Sequence, residues 1–387
     1  MQPTDYVTEV HADFSAVLAT EWDDLLQRQQ SPTPFMRWAY LHALQESGSA
    51  SPKTGWVLHL LTLRQQGILM AACPIYLKNH SYGEYVFDWA WAQAYERHGL
   101  DYYPKAVIAV PFTPVPGSRL LATTPVWRER LLAAALEVVR DAGATSLHVL
   151  LGSADDMEVA QQQSLMRRDG VQFHWQNQGW GDFDTFLAQL KQEKRKKIKQ
   201  ERRKVAQAGL TFVALHGTQI TPEDWALFYR CYAQTYAEHG NPPYLNRDFF
   251  ARMAKDMGEH WVLIRAERSG RPIACSLLAV QGWGGSDAVA YGRYWGSLEH
   301  HDSLHFETCY YQPIEWCLQH GVQRFEGGAQ GEHKMSRALL PVGTASAHWI
   351  AHPAFAQAIG DFLQRERQGM AQYVEELQER TPLRRND

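Results

Sequence analysis

The chain alternates between two hydrophobic periods, one typical of strands and one typical of helices. Near the amino terminus, DYVTEVH alternates apolar and polar residues as a half-buried strand does, and DFSAVLATEWDDLLQRQ places its apolar residues at helical spacing. A second helix is predicted over residues 34–46. The stretch GWVLHLLTLRQQGILMAACPIYLK contains two β-rich runs on either side of residues 65–67, which predicts a β-hairpin.

The remainder of the first half continues with alternating strands and helices. KAVIAVPF reads as a buried strand, and VWRERLLAAALEVVRDAG reads as an amphipathic helix that ends at Gly143. SLHVLL and VQFHWQN, separated by a further helix, are predicted strands.

The second half repeats this order of elements. LTFVAL is a predicted strand, residues 222–237 and 247–257 are predicted helices, and WVLIRAERSGRPIACSLLAV is a predicted hairpin. DAVAYGRYWG, a helix in SLHFETCYYQPIEWCLQHG and the strand VQRFEG follow. The order β, α, α, β-hairpin, β, α, β therefore occurs twice, and it is similar to that of the GNAT acyltransferase fold. We expect an α/β (α+β) protein with two tandem GNAT-like domains, residues 1–180 and 210–387.

The composition is that of a folded protein. The 387 residues include 45% hydrophobic and 21% charged residues, and this length favours two domains over one. The formal net charge of −4 gives no overall attraction to DNA or to an anionic membrane, so such affinity would need a local patch. Five cysteines without a C-x-x-C pair argue against a disulfide framework or a structural zinc site. Without a signal-like amino terminus or a long apolar run, we expect a cytoplasmic protein with no membrane span.

One local basic patch lies between the two halves. KQEKRKKIKQERRKVAQAG, within the predicted connecting helix 181–209, carries nine basic residues against Glu193 and Glu201. One interpretation is a solvated linker helix. The other is an arm that contacts the phosphates of RNA or of a nucleotide-linked substrate. The binding candidates within it are Lys194, Arg195, Lys196 and Lys197.

Several unusual stretches together resemble the FemAB-like family of tandem-GNAT N-acyltransferases. They are HSYGEYVFDWAWAQAY, YYPKAVIAVPFTPVPGSRLL, QFHWQN, KRKKIKQERRKV, YGRYWG, LHFETCYYQPIEW and GAQGEHK. The resemblance implies transfer of an acyl or aminoacyl group to an amine, with a cell-wall precursor as one acceptor class. It implies acyl-CoA or aminoacyl-tRNA as co-substrate, and no tightly bound cofactor.

Two stretches of the first half carry candidate binding residues. AVPFTPVPGSRLL stands where GNAT enzymes hold the CoA diphosphate, which makes Gly117, Ser118 and Arg119 candidate phosphate contacts. The same residues, with their three neighbouring prolines, could instead build a rigid turn. GEYVFDWAWAQAY could line an acceptor cleft or serve as packing between domains, and its candidates are Glu84, Asp88 and Trp89.

The strand YGRYWG of the second half carries a second group of candidates. Simple alternation predicts that Tyr291, Arg293 and Trp295 project from one face. An arginine between two aromatic residues binds an anion or stacks on a base, and the alternative is a structural cation–π arrangement.

Candidate proton-transfer residues lie in SLHFETCYY and in FEGGAQGEHKM. His305 and Glu307 point about 160° apart on a helix and are treated separately. A helix amino terminus would favour neutral His305, as suits a base, and the alternative is a histidine that only packs or caps the helix. In the second stretch glycines allow close backbone approach, and the candidate roles are amide orientation by Gln330, proton acceptance by Glu332 or His333, and charge compensation by Lys334.

Two further interpretations remain open at this level. His301 and His305 have H-x-x-x-H spacing, but this is a poor metal signal in a chain with 17 histidines, and we predict no metal. A non-catalytic tandem-GNAT module that binds RNA or a nucleotide-linked ligand is the alternative to an enzyme. Ligand binding without group transfer would distinguish that module.

Overall fold

A computed structural model describes residues 6–328 and 331–384 and has the mixed α/β composition expected from the sequence. Over these residues the strands are β1 (Val7–His11), β2 (Val57–Gln65), β3 (Ile68–Lys78), β4 (Lys105–Ile108), β5 (Leu121–Ala122), β6 (Ser146–Val149), β7 (Met166–Gln176), β8 (Leu210–His216), β9 (Trp261–Arg268), β10 (Arg271–Gln281), β11 (Val289–Ser297), β12 (Arg324–Glu326) and β13 (Leu340–Ile350). The helices are α1 (Ala19–Gln27), α2 (Trp38–Glu46), α3 (Trp89–Arg97), α4 (Pro125–Asp141), α5 (Ala154–Gln162), α6 (Phe183–Ala188), α7 (Gln192–Gln207), α8 (Pro222–Glu238), α9 (Arg247–Asp256), α10 (Leu304–Phe306), α11 (Gln312–Gln319) and α12 (Pro353–Glu379).

The chain forms two compact units, and both are discontinuous in sequence. Unit 1 takes the residues up to Gly170 together with Gly343–Gln372. Unit 2 takes Val171–Val342 and the residues from Tyr373 onward. The sequence predicts contiguous domains instead. The amphipathic pattern of a late strand such as β13 does not show whether the strand belongs to unit 1 or to unit 2. Both α6 and α7, which occupy the predicted connecting segment 181–209, belong to unit 2.

Unit 1 is built on strands in the order β1-β2-β3-β4-β6-β13. The hairpin β2–β3 pairs antiparallel as predicted, and β4 pairs parallel to β6. Helix α4 is capped by Thr124, whose side chain accepts a hydrogen bond from the Trp127 amide, and the helix has Pro125 at its first position. Its apolar face, including Leu131 and Leu132, is buried against these strands in one core cluster.

Unit 2 repeats the arrangement, with strands in the order β7-β12-β11-β10-β9-β8. Helix α8 starts with a capping box in which Thr221 and Asp224 satisfy each other's backbone amides. The parallel pair β11–β12 extends over only three residues of each strand and ends where Tyr291 pairs with Glu326. β11 then continues to Ser297 beside β10, so the sheet opens after Glu326.

None of the helices in the described part of the chain combines the length and the apolar character needed to cross a lipid bilayer.

Candidate functional site

A cavity lies at the point where β11 and β12 of unit 2 separate. Its volume is about 130 Å³. The lining residues come from β10, β11, the turn after β12, and the helical segment from α10 to α11. They are Ser276, Leu277, Leu278, Gly292, Arg293, Tyr294, Trp295, His305, Cys309, Tyr310 and Gly327. Strand separation exposes backbone groups inside the protein, so this is the place in unit 2 where a substrate can approach main-chain atoms.

A β-bulge at Arg293 shapes one wall of this cavity. Leu277 pairs with Tyr294 and Leu278 pairs with Gly292, which leaves Arg293 as an extra residue in β11. The prediction that Tyr291, Arg293 and Trp295 share one face is therefore wrong, because the inserted residue reverses the alternation after it. Tyr291 and Trp295 lie on opposite faces. The Arg293 guanidinium lies 5.1 Å from the centroid of the neighbouring Tyr294 ring.

The opposite wall is a π-helical turn, Glu307–Tyr311, between α10 and α11. Such turns are often found at functional sites because they displace side chains from regular helical spacing. The turn and α10 direct His305, Cys309 and Tyr310 into the cavity. Burial, together with the nearby His333 and Arg337, lowers the pKa of His305 to about 4. The imidazole is thus neutral at pH 7, as expected, but mainly because of burial.

The Glu332–Arg337 turn brings cationic groups to the cavity. Lys334 is buried, donates a hydrogen bond of 2.8 Å to the Gly328 carbonyl, and packs near Gly327, which lines the cavity. Burial lowers the pKa of its amine to about 8. His333 contacts Tyr310, a residue of the cavity lining: the Tyr310 hydroxyl lies 3.3 Å from His333 Nε2. Lys334 and His333 therefore adjoin the cavity.

Two predicted residues of this stretch are placed differently. Glu332 is half exposed and accepts hydrogen bonds from Tyr373 at 2.6 Å and from Arg380 at 3.3 Å, and it does not line the cavity. Gln330 lies outside the described residues.

Glu326 is a candidate that the sequence analysis missed. It ends β12 immediately before Gly327, and it is buried. Its Oε1 lies 3.1 Å from Arg324 Nε, while its Oε2 makes no hydrogen bond within the described residues and lies 3.8 Å from His174 Nε2. Burial raises the pKa of Glu326 to about 7, although Arg324 and Arg293 oppose this shift. The signal available in the sequence was a strand that ends in glutamate immediately before two glycines.

Glu307 lies on the other side of the π-helical turn. It lines a separate groove with residues of α6, α7 and β8, so His305 and Glu307 point apart as predicted. Its Oε1 accepts hydrogen bonds from Arg202 at 3.0 Å and from Gln312 at 2.8 Å. Burial raises the pKa of this carboxyl above its usual value.

Helix α7 has one buried face, so it is more than a solvated connection. Ile198, Glu201 and Val205 are buried. Glu201 accepts a hydrogen bond from the Tyr311 hydroxyl and an ion pair from Arg337 at 3.1 Å, and Arg337 also stacks on Phe306. These contacts connect α7 to the turns that form the cavity wall. Of the four predicted phosphate contacts on α7, Lys196 and Lys197 are exposed, whereas Lys194 and Arg195 are half-buried.

Unit 1 holds Glu84 and Asp88 in a buried ionic network. Lys105 Nζ lies 2.7 Å from Glu84, 2.5 Å from Asp88 and 2.7 Å from the Ser81 hydroxyl, and its side chain is fully buried. Lys78 lies 3.7 Å from Glu84. Burial lowers the pKa of Lys78 and raises that of Glu84, each to about 7.

The rest of the network extends from Asp88. Burial opposes ionisation of Asp88, but Lys105 and His148 outweigh it and hold its pKa below the usual range. Tyr102 donates a hydrogen bond of 2.6 Å to Asp88. Trp89 is half-buried and packs against Tyr82.

The turn with Gly117, Ser118 and Arg119 has its polar groups engaged within unit 1. The Arg119 guanidinium is buried and donates to the carbonyls of Val115, Gly117 and Leu150. The amides of Gly117 and Ser118 donate to backbone carbonyls, and the Arg119 amide donates to the Asp156 carboxylate at 2.7 Å. The geometry favours the rigid-turn interpretation over phosphate binding, because both use the same donors.

The described residues contain no group of three or more His, Cys, Asp or Glu side chains arranged to hold a metal ion. His301, one of the H-x-x-x-H pair, has its Nε2 3.2 Å from Glu299.

Comparison with known proteins gives one family match. The family model named FemAB-like, with the description peptidoglycan biosynthesis/recognition, matches residues 13–385. No curated protein sequence matches the chain.

Several solved structures are similar over most of the chain at low sequence identity. FemX matches with a TM-score of 0.55 and 10% identity, covering 89% of this chain and 98% of FemX. The C-terminal domain of a putative lysylphosphatidylglycerol synthetase from Agrobacterium fabrum has a TM-score of 0.52 and 13% identity, covering 88% of this chain and 94% of that one. L-PGS from Bacillus licheniformis has a TM-score of 0.52 and 10% identity, with coverage of 89% and 96%. At these identities the likeness concerns the fold.

Proposed function

The chain belongs to the FemAB-like family, as the sequence stretches predict, and from this premise we propose that unit 2 transfers an acyl or aminoacyl group to an amine. The proposed acceptor is a cell-wall precursor, in keeping with the family description of peptidoglycan biosynthesis/recognition. The observation that carries the proposal is the cavity at the β11–β12 separation. The buried carboxyl residue Glu326 directly precedes Gly327 of its lining, and the buried side chain of Lys334 packs near the same glycine.

Such a reaction needs a group that accepts the proton of the amine. The amine nitrogen bonds to the carbonyl carbon of the donor, the bond from that carbon to the leaving oxygen or sulfur breaks, and the nitrogen loses a proton. A base works best when its pKa is near the operating pH. Glu326 has this property, and its Oε2 makes no hydrogen bond within the described residues. We assign the role of base to Glu326.

The same reaction develops negative charge on the carbonyl oxygen. Fixed positive groups in a site with little water stabilise this charge more strongly than water does. Lys334 and Arg293 are cations at the strand separation: Lys334 lies beside Gly327, and Arg293 is at the bulge. We assign oxyanion stabilisation to Lys334 and orientation of the donor to Arg293.

Protonation of the leaving group is assigned to Tyr310. Its ring lines the cavity, and its hydroxyl lies 3.3 Å from Nε2 of the exposed His333. Burial lowers the pKa of His333, so its neutral imidazole relays a proton from solvent to the phenolate, while Glu326 releases the amine proton to solvent. In this scheme His333 acts through Tyr310. His305 shapes the cavity as a neutral ring, and Glu332 holds the turn to α12 through Tyr373 and Arg380.

We propose charged tRNA as the donor, which places the reaction in the cytoplasm. Helix α7 presents exposed lysines while its buried Glu201 contacts the turns beside the cavity. Spaced cations on a fixed helix suit the phosphates of RNA. For acyl-CoA, the turn of unit 1 offers no comparable set of open donors, because its amides already have partners.

The test is a transfer assay with charged tRNA or acyl-CoA as donor and nucleotide-linked or lipid-linked peptidoglycan precursors as acceptor, with products read by mass spectrometry. Glu326→Gln should lower kcat by roughly 10²- to 10⁴-fold. Because the base acts only when deprotonated, the wild-type rate should rise with pH and level off above about 7. The variant should lose this rise.

Glu332→Gln is the matched control, since it changes a nearby half-exposed carboxylate that does not line the cavity, and it should keep the rate within about threefold. Retention of the wild-type rate and pH profile by Glu326→Gln would refute the assigned base. Binding of tRNA without transfer to any of these acceptors would instead support the non-catalytic module.

A further inference from the structure

The groove beside Glu307 is separate from the cavity at the strand separation. Its volume is about 520 Å³, within the range of small-molecule sites. It is bounded by α6, α7, the start of β8 and the π-helical turn. Six of the twelve lining residues are apolar, and three of the charged ones, Lys199, Arg202 and Arg203, come from α7. The apolar ones are Phe183, Leu187, Val205, Ala206, Leu210 and Phe212.

Glu307 gives the groove a buried hydrogen-bond acceptor. The residue is 2% exposed. Both hydrogen bonds from Arg202 and Gln312 go to Oε1, and Oε2 makes no hydrogen bond within residues 6–328 and 331–384. A buried carboxylate oxygen without a donor is costly, and a ligand that supplies a donor would remove this cost. Because Arg202 already compensates the charge of Glu307, a neutral N–H donor fits better than a second cation.

The α7 side of the groove carries positive charge. Lys199 and Arg203 are exposed there, and no ion pair to either is present among the described residues. Lys199, Arg202 and Arg203 against Asp184 and Glu307 leave the lining with a net charge of +1. An anionic group on the ligand would therefore be favoured at the rim.

We propose that this groove is a binding site for an adenosine phosphate. The base would lie between apolar walls that include Phe183 and Phe212, its exocyclic amine would donate to Glu307 Oε2, and its phosphate would meet Lys199 and Arg203. The ligand combines the three features that the groove offers: a neutral donor, a flat apolar body and an anion. The assignment does not depend on the transfer chemistry, since it uses none of the residues at the β11–β12 cavity; it shares with the proposed tRNA site only the cations of α7.

The first test is equilibrium binding of the full chain to AMP and to purine riboside 5′-monophosphate, which has hydrogen in place of the exocyclic amine. AMP should bind about 10- to 150-fold more tightly, the range expected for one hydrogen bond to a charged acceptor. In Glu307→Gln the amide oxygen should stay with Arg202 and Gln312. The amide NH₂ then replaces Oε2, so the preference for AMP should disappear.

The second test separates groove cations from other cations of the same helix. At 100° per residue Lys199 and Arg203 share one face of α7, and Lys197 and Lys204 lie on the opposite face. Lys199→Ala with Arg203→Ala should weaken AMP binding about three- to tenfold and reduce its salt dependence. Lys197→Ala with Lys204→Ala removes the same charge and should leave the affinity unchanged.

A third measurement identifies the source of the adenosine phosphate. If a short single-stranded oligoadenylate binds more tightly than AMP and loses affinity in Glu307→Gln, the site takes adenosine within an RNA chain. If only AMP shows the Glu307 dependence, it takes the free nucleotide. Failure of AMP to bind, or equal affinity for AMP and the amine-free analogue in the wild type, would overturn the proposal, whatever the transfer assay shows.

Discussion

Removal of the Lys105 ammonium should strongly destabilise unit 1. The Lys105 side chain is fully buried, and its Nζ is shared by Glu84, Asp88 and the Ser81 hydroxyl. Methionine keeps the length and apolar character of the side chain, so Lys105→Met isolates the loss of the charge and its donors.

The expected cost follows from what remains behind. Glu84 and Asp88 would be two buried carboxyl groups that keep weaker partners: Lys78 at 3.7 Å from Glu84, and the Tyr102 hydroxyl and His148 beside Asp88. Removing one partner of a buried ion pair costs about 3–5 kcal/mol, because the remaining charge cannot be solvated. At about 2–4 °C for each kcal/mol in a unit of this size, the melting temperature of unit 1 should fall by about 6–20 °C.

The assay is differential scanning calorimetry combined with urea unfolding. Lys255→Met removes a lysine from the exposed side of α9 and should change the free energy of unfolding by less than about 0.5 kcal/mol. Lys105→Met with Asp88→Asn should recover part of the loss, because it removes one of the two uncompensated carboxylates. If Lys105→Met were no more destabilising than Lys255→Met, the network would be unimportant for the stability of unit 1.

Two further predictions concern other buried groups of unit 1. Burial lowers the pKa of His148 to about 3. Below pH 6.5 the unfolded chain therefore binds a proton at this histidine that the folded chain does not, and the folded state becomes less stable as the pH falls. Between pH 6.5 and 5.0 this histidine should lower the free energy of unfolding by about 2 kcal/mol. Urea unfolding at the two pH values should show that His148→Gln loses this part of the pH dependence, and an unchanged slope would contradict the assignment. Arg119→Met should cost about 3 kcal/mol, since it leaves buried carbonyls without donors, while the affinity for the acyl donor stays unchanged. Exposed Arg97→Met serves as its control in both measurements, and weaker donor binding by the Arg119 variant alone would restore the phosphate-binding interpretation.

The order of elements in each half could be predicted because local patterns determine it. Strand alternation, helical spacing and turn residues such as those after α4 act over a few neighbouring positions. The Arg293 bulge could not be predicted in this way. It depends on the register between β10 and β11, where one extra residue in β11 reverses the direction of the side chains that follow.

Parts of the candidate site depend on burial that no short stretch reveals. Glu326 looks like an ordinary strand end in the sequence, and its raised pKa comes from residues distant in the chain that cover it. From the sequence, Glu332 looks equally suitable as a base beside His333. In the structure it is bonded to Tyr373 of α12 and to Arg380, just after that helix, and it does not line the cavity. Glu307 was noticed as a titratable residue, but its position in a second groove depends on α7.

The interrupted chain path of the two units has a consequence for synthesis on the ribosome. Strand β13, which pairs with β6, and the first part of α12 are made only after nearly all of unit 2. At about 5–20 residues per second, unit 1 lacks its last segment for roughly 10–35 s after its first 170 residues have been translated. A nascent fragment that ends before Gly343 therefore leaves β6 without this neighbour. The edge of β6, a buried strand, can then pair with a wrong segment until β13 has been translated.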